Sequence, residues 1–385
     1  MALLAAMGLA VAPMANAGKK RNKKPPVPVG AVYTMTNNVT ENSLVKFKRF
    51  RNGRLSQSQT VRAGGQGSTQ SFGCGPDCPI LDSSSAVEIT PNGKLIFTVN
   101  AGSDSVASFR EGPSGLRRAD VQPSSGDLPE SVTAANGLLY VLNVDSNSIS
   151  GFRYASNGAL TPIPNSTRSL AAATNTARQI GFDNGGETLV VTNLGAGLIE
   201  LFNVNADGTT TALPPAQSQT PLPFGFAFDP SNRLILSELT VAPPPDGPGG
   251  NGSTSTYGVS NAGVTNIDTE STNDELPCWV SVTGNGRYAY VVNTGAGKLA
   301  SVTRYRINAD GTLTRLGNKP APGEFALTDV MLSRGSKFLY VLAPTVTGAD
   351  RSHIRRYRVR TGGGLSYLGR TANNLPTGVT GLDGR

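Results

Sequence analysis

A sequence unit repeats along the chain, and one equivalent position in its copies is occupied by side chains with different chemical properties. Each unit contains a turn glycine or its equivalent, and counting seven residues back from it reaches the start of the unit's first strand. The positions reached in this way are Thr377, Ala86, Glu130, Arg178, Gly225, Trp279 and Asp329. Arginine pairs with carboxylate or phosphate, an indole ring stacks on other rings, and carboxylates act as acids and bases.

One further carboxylate departs from the pattern of the repeat. The second strand of most units ends in asparagine, but in the fifth unit Glu238 stands at that point. Antiparallel neighbours return to the same edge of a sheet, so Glu238 is predicted to join Glu130, Arg178, Trp279 and Asp329. We therefore expect Glu238 and Glu130 as catalytic residues, with Arg178, Trp279 and Asp329 contacting substrate.

A second interpretation of these residues is purely structural. Carboxylates and an arginine at such an edge also form ordinary salt bridges, and strand-end asparagines satisfy turn backbone. The alignment of the repeat units decides between the functional and the structural interpretation, because an error of one residue turns a strand side chain to the other face of the sheet.

The elements that must position these residues repeat about every 45 residues. The ends of the second strands fall at Asn37, Asn100, Asn143, Asn193, Glu238, Asn293 and Ala343. Short strands and glycine turns at such a period are typical of propeller blades. Runs such as Leu189–Thr192 are apolar on both faces, as in a sheet packed between neighbours. The sequence therefore predicts an all-β, seven-bladed β-propeller over residues 29–385.

The two ends of the repeat array predict how the ring closes. The first unit, Ala31–Asn37, lacks an innermost strand, whereas Thr377–Gly384 reads as an innermost strand without a successor. We expect the C-terminal strand to complete the first blade and remove the exposed sheet edges. The Pro-, Gly- and Ser-rich stretch 242–256 is interpreted as a long loop within the fifth blade.

The N-terminal segment indicates export. Residues 1–17 are apolar and end in Ala15-Asn16-Ala17, which fits a signal-peptidase site, although the usual basic start is missing. This run is too short for a membrane span. We expect a secreted protein, or a periplasmic one if the source is bacterial, with a basic, Pro-rich arm over 18–28.

Charge and cysteine content exclude several classes of function. Five of the net +8 charges lie in the arm, leaving about +3 for the body, so no nucleic-acid partner is expected. Cys74 and Cys78 are predicted to form a disulfide in an oxidising compartment. Soft metal ligands are few, because Cys278 is the one other cysteine and His353 is the one histidine in the sequence. We expect a monomer without cofactor or metal.

The blade motifs resemble a known family, the lactonase-type seven-bladed propellers, which include 6-phosphogluconolactonase and carboxymuconate-lactonising enzymes. The resemblance lies in the segments Ala31–Asn37, Asn92–Asn100, Arg178–Asn193, Pro223–Glu238, Pro277–Asn293 and Lys337–Leu342. The resemblance extends over nearly all of the proposed mature chain. Some of these segments look like those of a secreted subgroup of the family. The resemblance implies a substrate-orienting role for Arg178. Where the family usually has Arg-His and a strand ending Asn-Glu, this chain has Gln179 and Leu194, so Gln179 is placed among the substrate contacts.

Two functions remain open at this point. One is hydrolysis or formation of a sugar or carboxylated-ring lactone, with a lactone or sugar acid as partner, as the resemblance implies. The other is a non-catalytic propeller that binds a glycan, a wall polymer or a protein. The absent acid–base pair favours binding, because glutamine cannot transfer a proton near neutral pH, whereas the overall resemblance favours a lactonase.

Overall fold

The computed structural model describes residues 25–69, 81, 84–240, 250–295, 299–345, 352–371 and 375–385. Their strands, in chain order, are β1 Pro28–Met35, β2 Ser43–Phe50, β3 Leu55–Arg62, β4 Val87–Ile89, β5 Leu95–Asn100, β6 Ser105–Gly112, β7 Gly115–Pro123, β8 Pro129–Ala135, β9 Leu138–Asn143, β10 Ser148–Tyr154, β11 Leu160–Pro162, β12 Arg168–Ser169, β13 Ala177–Phe182, β14 Thr188–Asn193, β15 Leu198–Val204, β16 Thr210–Ala212, β17 Ala216–Gln217, β18 Leu222–Phe228, β19 Arg233–Thr240, β20 Gly250–Ser260, β21 Gly263–Glu275, β22 Pro277–Val282, β23 Tyr288–Asn293, β24 Ser301–Ile307, β25 Leu313–Pro320, β26 Thr328–Leu332, β27 Phe338–Ala343, β28 His353–Val359, β29 Leu365–Arg370 and β30 Thr380–Gly384.

These strands form seven antiparallel sheets, the blades of a propeller. Blades two to seven begin with β4, β8, β13, β18, β22 and β26 respectively, and each of these strands is the innermost of its sheet. The helical elements of the described residues are two 3₁₀ turns, Ala101–Ser103 and Thr361–Gly363. No helix in the described parts of the chain has the length and apolar character needed to cross a membrane.

The second strand of each blade shows why the sequence folds in this way. Strands β5, β9 and β14 are buried at every position and rich in β-branched, leucine and aromatic residues. Such residues pack well on a pleated surface. Because each sheet lies between two other sheets, both of its faces are covered, and the period-two alternation of a half-exposed strand disappears.

The ring closes through the pairing of its two chain ends. Strand β30 lies antiparallel to β1, with Tyr33 opposite Asp383 and Met35 opposite Thr380. Leu382 of β30 belongs to a buried cluster that also contains Val32 of blade one and Leu342 of blade seven. The predicted composite first blade is confirmed, because the chain's last strand supplies its innermost position.

The fifth blade differs from its prediction. The stretch 242–256 was expected to be a loop, but from Gly250 onwards it is strand β20, which pairs with both β19 and β21. The side chains of Thr254, Ser255 and Thr256 are fully buried in this sheet. The Ser255 hydroxyl donates to the Glu238 carboxylate, which shows that a serine- and threonine-rich tract with a loop-like sequence can form a strand when a buried hydroxyl finds an acceptor inside the sheet.

Ring closure can be tested with two leucines of equal size. Leu382 is buried in the closing strand, whereas Leu299 is exposed. We expect Leu382→Ala to lower the free energy of unfolding by about 2–5 kcal/mol, and Leu299→Ala to change it by less than about 0.5 kcal/mol. Denaturant titration measures both, and equal effects would contradict the packing of β30 described above.

Candidate functional site: an acidic cavity in the central channel

A cavity of about 280 Å³ lies where the innermost strands meet. This volume is close to the lower end of the range for small-molecule pockets, about 300 Å³. Its described lining residues are Ser84, Ser85, Val87, Glu88, Gln179, Phe226, Ala227, Trp279, Val280, Ser281, Val282, Asp329, Val330, Met331, Leu332, Leu382 and Asp383. Three of them are carboxylic acids, and none of these described residues is a lysine, arginine or histidine.

Backbone donors fix the carboxyl groups of Asp329 and Asp383. The N–H of Val330 donates to Asp329 Oδ1 at 2.8 Å, and the N–H of Leu382 donates to Asp329 Oδ2 at 2.7 Å. The N–H of Ile89 donates to Asp383 Oδ2 at 2.8 Å. Strands of blades one, two and seven are therefore joined through these carboxylates, which also sets the positions of the acidic groups in the channel.

Burial changes the protonation of all three groups. It raises the pKa of Asp329 to about 7, against the opposing effect of its two backbone donors. Burial likewise raises the pKa of Asp383 to about 7. The pKa of Glu88 lies well above its usual range because of burial and the repulsion of Asp383. The carboxyl groups of Asp329 and Asp383, whose pKa values are about 7, can donate or accept protons near neutral pH.

Gln179 and Trp279, two of the predicted substrate contacts, line this cavity together with Asp329. The Gln179 side chain accepts a hydrogen bond from the Phe226 N–H at 2.8 Å and donates to the Phe226 carbonyl at 3.0 Å. Trp279 is 3% exposed and packs edge-on against Phe224. Gln179 thus ties blade four to blade five, and Trp279 forms wall rather than an open stacking surface.

Arg178 and Glu130 are absent from the described lining of the cavity. Blade four has two adjacent turn glycines, and Gly186, with φ +70°, is the equivalent of Gly286, with φ +67°. Counting seven residues back from Gly186 reaches Gln179. Gln179, and not Arg178, is therefore the residue of blade four that is equivalent to Trp279. In blade three the hairpin between Ala135 and Leu138 is shorter than the others, which displaces Glu130 in the same way.

The strand register of blades three, four and six agrees with this correction. Ser131, Gln179 and Trp279 each pair with the residue that precedes a strand-end asparagine. Glu130 and Arg178 fall at the neighbouring bulges, where β8 and β13 shift register. A shift of one residue changes the direction of a strand side chain.

The segment Ser84–Ser85 lies across the starts of these innermost strands. The Ser84 N–H donates to the Arg178 carbonyl at 3.0 Å, and the Ser85 carbonyl accepts from the Val132 N–H at 2.9 Å. A side chain at Gly225 would approach the Ser84 hydroxyl to 2.9 Å. The chain therefore covers this end of blades three, four and five as it enters blade two, and Glu130 and Arg178 are almost fully buried.

Glu238, the other predicted catalytic residue, is also located away from the cavity. It is fully buried and accepts hydrogen bonds from the hydroxyls of Ser253, Ser255 and Tyr257 and from the Gln219 N–H. Asn293 of blade six makes the corresponding contacts, donating to the hydroxyls of Ser301 and Thr303. Glu238 thus occupies the structural position of the strand-end asparagines, with its acceptor capacity filled within its own blade.

Sequence reasoning missed Glu88 and Asp383, although both left a signal. Each is a single acidic residue in a short innermost strand, within Val87-Glu88-Ile89 and Gly381-Leu382-Asp383-Gly384. A charge in the strand that lines a channel indicates a channel-facing side chain, and the prediction for β30 already placed Asp383 there.

Within the described residues no three Asp, Glu, His or Cys side chains are arranged to hold a metal ion. Cys74 and Cys78, like residues 1–17, lie outside the described residues.

The architecture and cavity define a seven-bladed propeller with an acidic central channel. The model of the family described as "Lactonase, 7-bladed beta-propeller" matches residues 35–174. This match confirms, over those residues, the resemblance inferred from the blade motifs, and the architecture is that of a seven-bladed propeller. No curated protein matches its sequence significantly.

Solved structures share this architecture at low identity. A putative 6-phosphogluconolactonase from Bacteroides fragilis is 15% identical, with a TM-score of 0.70, and the match covers 92% of this chain and 98% of that one. The periplasmic gluconolactonase PpgL from Pseudomonas aeruginosa is 15% identical, with a TM-score of 0.64 and coverage of 92% and 99%. These similarities support the fold.

The structural role of Glu238 predicts the result of its removal. Glu238→Ala removes the acceptor on which three buried hydroxyls and the Gln219 N–H converge, so we expect the free energy of unfolding to fall by at least about 3 kcal/mol. The exposed Glu187 of blade four gives a matched control, and Glu187→Ala is expected to change stability by less than about 0.5 kcal/mol. An equally small effect of both substitutions in denaturant titrations would contradict the buried network.

The raised pKa values predict how stability depends on pH. A carboxyl with a raised pKa keeps its proton in the folded state after the unfolded chain has lost it, so stability falls as pH rises from about 4 to about 7. We expect Asp329→Asn to reduce the loss of stability between about pH 5 and pH 8.

Asp310, which is exposed and has a lowered pKa, provides the matched Asp310→Asn control. Denaturant titrations at the two pH values measure the effect of each substitution. A loss of stability that is the same in wild type and Asp329→Asn would show that Asp329 titrates in its ordinary range.

Proposed function

We propose that this propeller hydrolyses an uncharged lactone, such as a sugar lactone, in its central cavity. The observation that carries the proposal is the convergence of Glu88, Asp329 and Asp383 on one small cavity without a lining cation among the described residues. The lactonase-type fold and the relatives named 6-phosphogluconolactonase and gluconolactonase support the class of reaction.

The chemistry requires one base and one acid. A deprotonated carboxylate takes a proton from water as the water oxygen attacks the lactone carbonyl carbon. A protonated carboxyl then gives its proton to the ring oxygen as the bond from that oxygen to the carbonyl carbon breaks. The product is the open hydroxy acid. Asp329 and Asp383, whose pKa values are both about 7, can hold these two protonation states at neutral pH.

The charge of the cavity favours neutral substrates over anionic ones. Carboxylates in a poorly solvated site repel a phosphate or a second carboxylate, and no lysine, arginine or histidine is found among the described lining residues to offset them. Arg178, the anion-binding group suggested by the family resemblance, does not line the cavity. The same repulsion acts on the carboxylate product and assists its release.

Export belongs to this proposal as well. Residues 1–17 have the composition of a signal peptide, and one structural relative is named as a periplasmic protein. An exported lactonase would meet uncharged sugar lactones formed outside the cytoplasm.

Kinetics of purified variants test the proposal. We expect hydrolysis of glucono-1,5-lactone above its spontaneous rate and slower hydrolysis of 6-phosphogluconolactone. Asp329→Asn and Asp383→Asn should each lower kcat/KM by about 10²- to 10⁴-fold, because each removes a proton-transfer group. Asp310→Asn, on an exposed turn, should leave the rate unchanged.

Two results would contradict the proposal. Full activity in both channel variants would place the chemistry outside the cavity. Absence of lactone hydrolysis by folded wild-type protein would instead favour the non-catalytic binding function.

A further inference from the structure

A second feature lies at the seam where blade seven meets blade one. We define the seam as the turn 51–54 between β2 and β3, together with the facing side of β27 and β28. Gly53 has φ +80°, and a side chain there would approach the Phe338 ring to 2.4 Å. The Tyr340 hydroxyl donates to the Gly53 carbonyl at 3.1 Å. This close approach brings the turn of blade one directly against blade seven.

Three arginines meet at the seam. The guanidinium of Arg54 lies 4.3 Å from the centre of the Phe50 ring, and that of Arg358 lies 5.5 Å from the centre of the Phe338 ring. Arg356 pairs with Tyr340 and Arg358 pairs with Phe338 across β27 and β28. Paired residues share a face of an antiparallel sheet, so both of these arginines face blade one.

These arginines have no acidic ion-pair partner among the residues that the structure describes. None of the ion pairs within the described residues involves Arg54, Arg356 or Arg358. The Arg356 Nη2 donates to the Leu368 carbonyl at 3.0 Å, while its Nε is buried without a hydrogen-bond partner. Burial and the like charge of Arg54 lower the pKa of Arg356.

Exposed arginines at sheet edges often serve only to keep edges apart in solution. That role does not require a guanidinium that is half-buried, and it does not account for a buried N–H left without an acceptor, which is costly. An oxyanion would supply the missing acceptor and offset the repulsion between the arginines. Planar guanidinium groups bind phosphate and carboxylate oxygens in a forked geometry, which a lysine cannot reproduce.

We propose that the seam binds an oxyanion, either a phosphate or the carboxylate of a small acid, through Arg356 and Arg54, with Arg358 beside them. The site lies between the β2–β3 turn of blade one and the middle strands β27 and β28 of blade seven, whereas the acidic cavity is lined by the innermost strands. It therefore does not depend on the proposed lactonase activity. The two sites are opposite in charge, so one protein would accept an anion at its rim and a neutral ligand in its channel.

Isothermal titration calorimetry with inorganic phosphate and with gluconate tests this site. We expect at least one of the two anions to bind the full chain at a single site, at an ionic strength held constant with chloride. Binding of phosphate alone, of gluconate alone or of both would support the proposal and would assign the class of oxyanion.

Substitutions then locate the binding site. Arg356→Gln and Arg54→Gln should each raise Kd by about tenfold or more, because each removes a charge-assisted contact. Arg117, an exposed arginine on β7 of blade two, provides the Arg117→Gln control, which should bind as the wild type does. Because Arg54 is exposed, its variant keeps the test valid even if Arg356→Gln folds poorly. The proposal would be overturned if neither anion binds, or if the Kd is unchanged in Arg54→Gln.

Discussion

The pairing of β30 with β1 is the contact on which the rest of the structure depends. It joins residues more than 340 positions apart, as in the pair Tyr33 and Asp383, and turns an open row of sheets into a ring. The strand also brings Asp383 to the channel wall beside Glu88. At the same time the Leu382 N–H reaches Asp329 of blade seven. Closure of the fold and assembly of the acidic cavity are therefore the same structural event.

Because ring closure also assembles the cavity, the carboxyl groups of Glu88, Asp329 and Asp383 are held close together. Like charges in a confined site cannot all ionise at neutral pH, so the group retains protons that isolated acids would lose. The ring holds them because each sheet is fixed by two others through buried apolar strands, and a single carboxylate cannot move away without breaking backbone hydrogen bonds. The arrangement therefore holds the carboxyl groups of Asp329 and Asp383 in the channel with pKa values of about 7.

Much of the fold could be predicted from the sequence, whereas the site could be predicted only in part. The repeat of short strands and glycine turns predicts seven blades and a composite first blade because both follow from local pattern and from the missing first strand. Gln179, Trp279 and Asp329 do line the cavity. Arg178 and Glu130 were misplaced because bulges and one short hairpin shift the register by a residue, which the turn glycines alone do not reveal. Glu238 was misinterpreted because its partners, including Ser255 and Tyr257, come from a strand that reads as a loop.

The central claim is that Asp329 and Asp383 share a cavity without a cation among its described lining residues, and that both titrate near neutral pH. Carbon-13 NMR of the aspartate carboxyl groups, recorded across pH in selectively labelled protein, measures this directly. The structure predicts two resonances with midpoints near pH 7, one of them lost in Asp329→Asn and the other in Asp383→Asn. Titration of every aspartate below about pH 5, the ordinary range for this side chain, would contradict it.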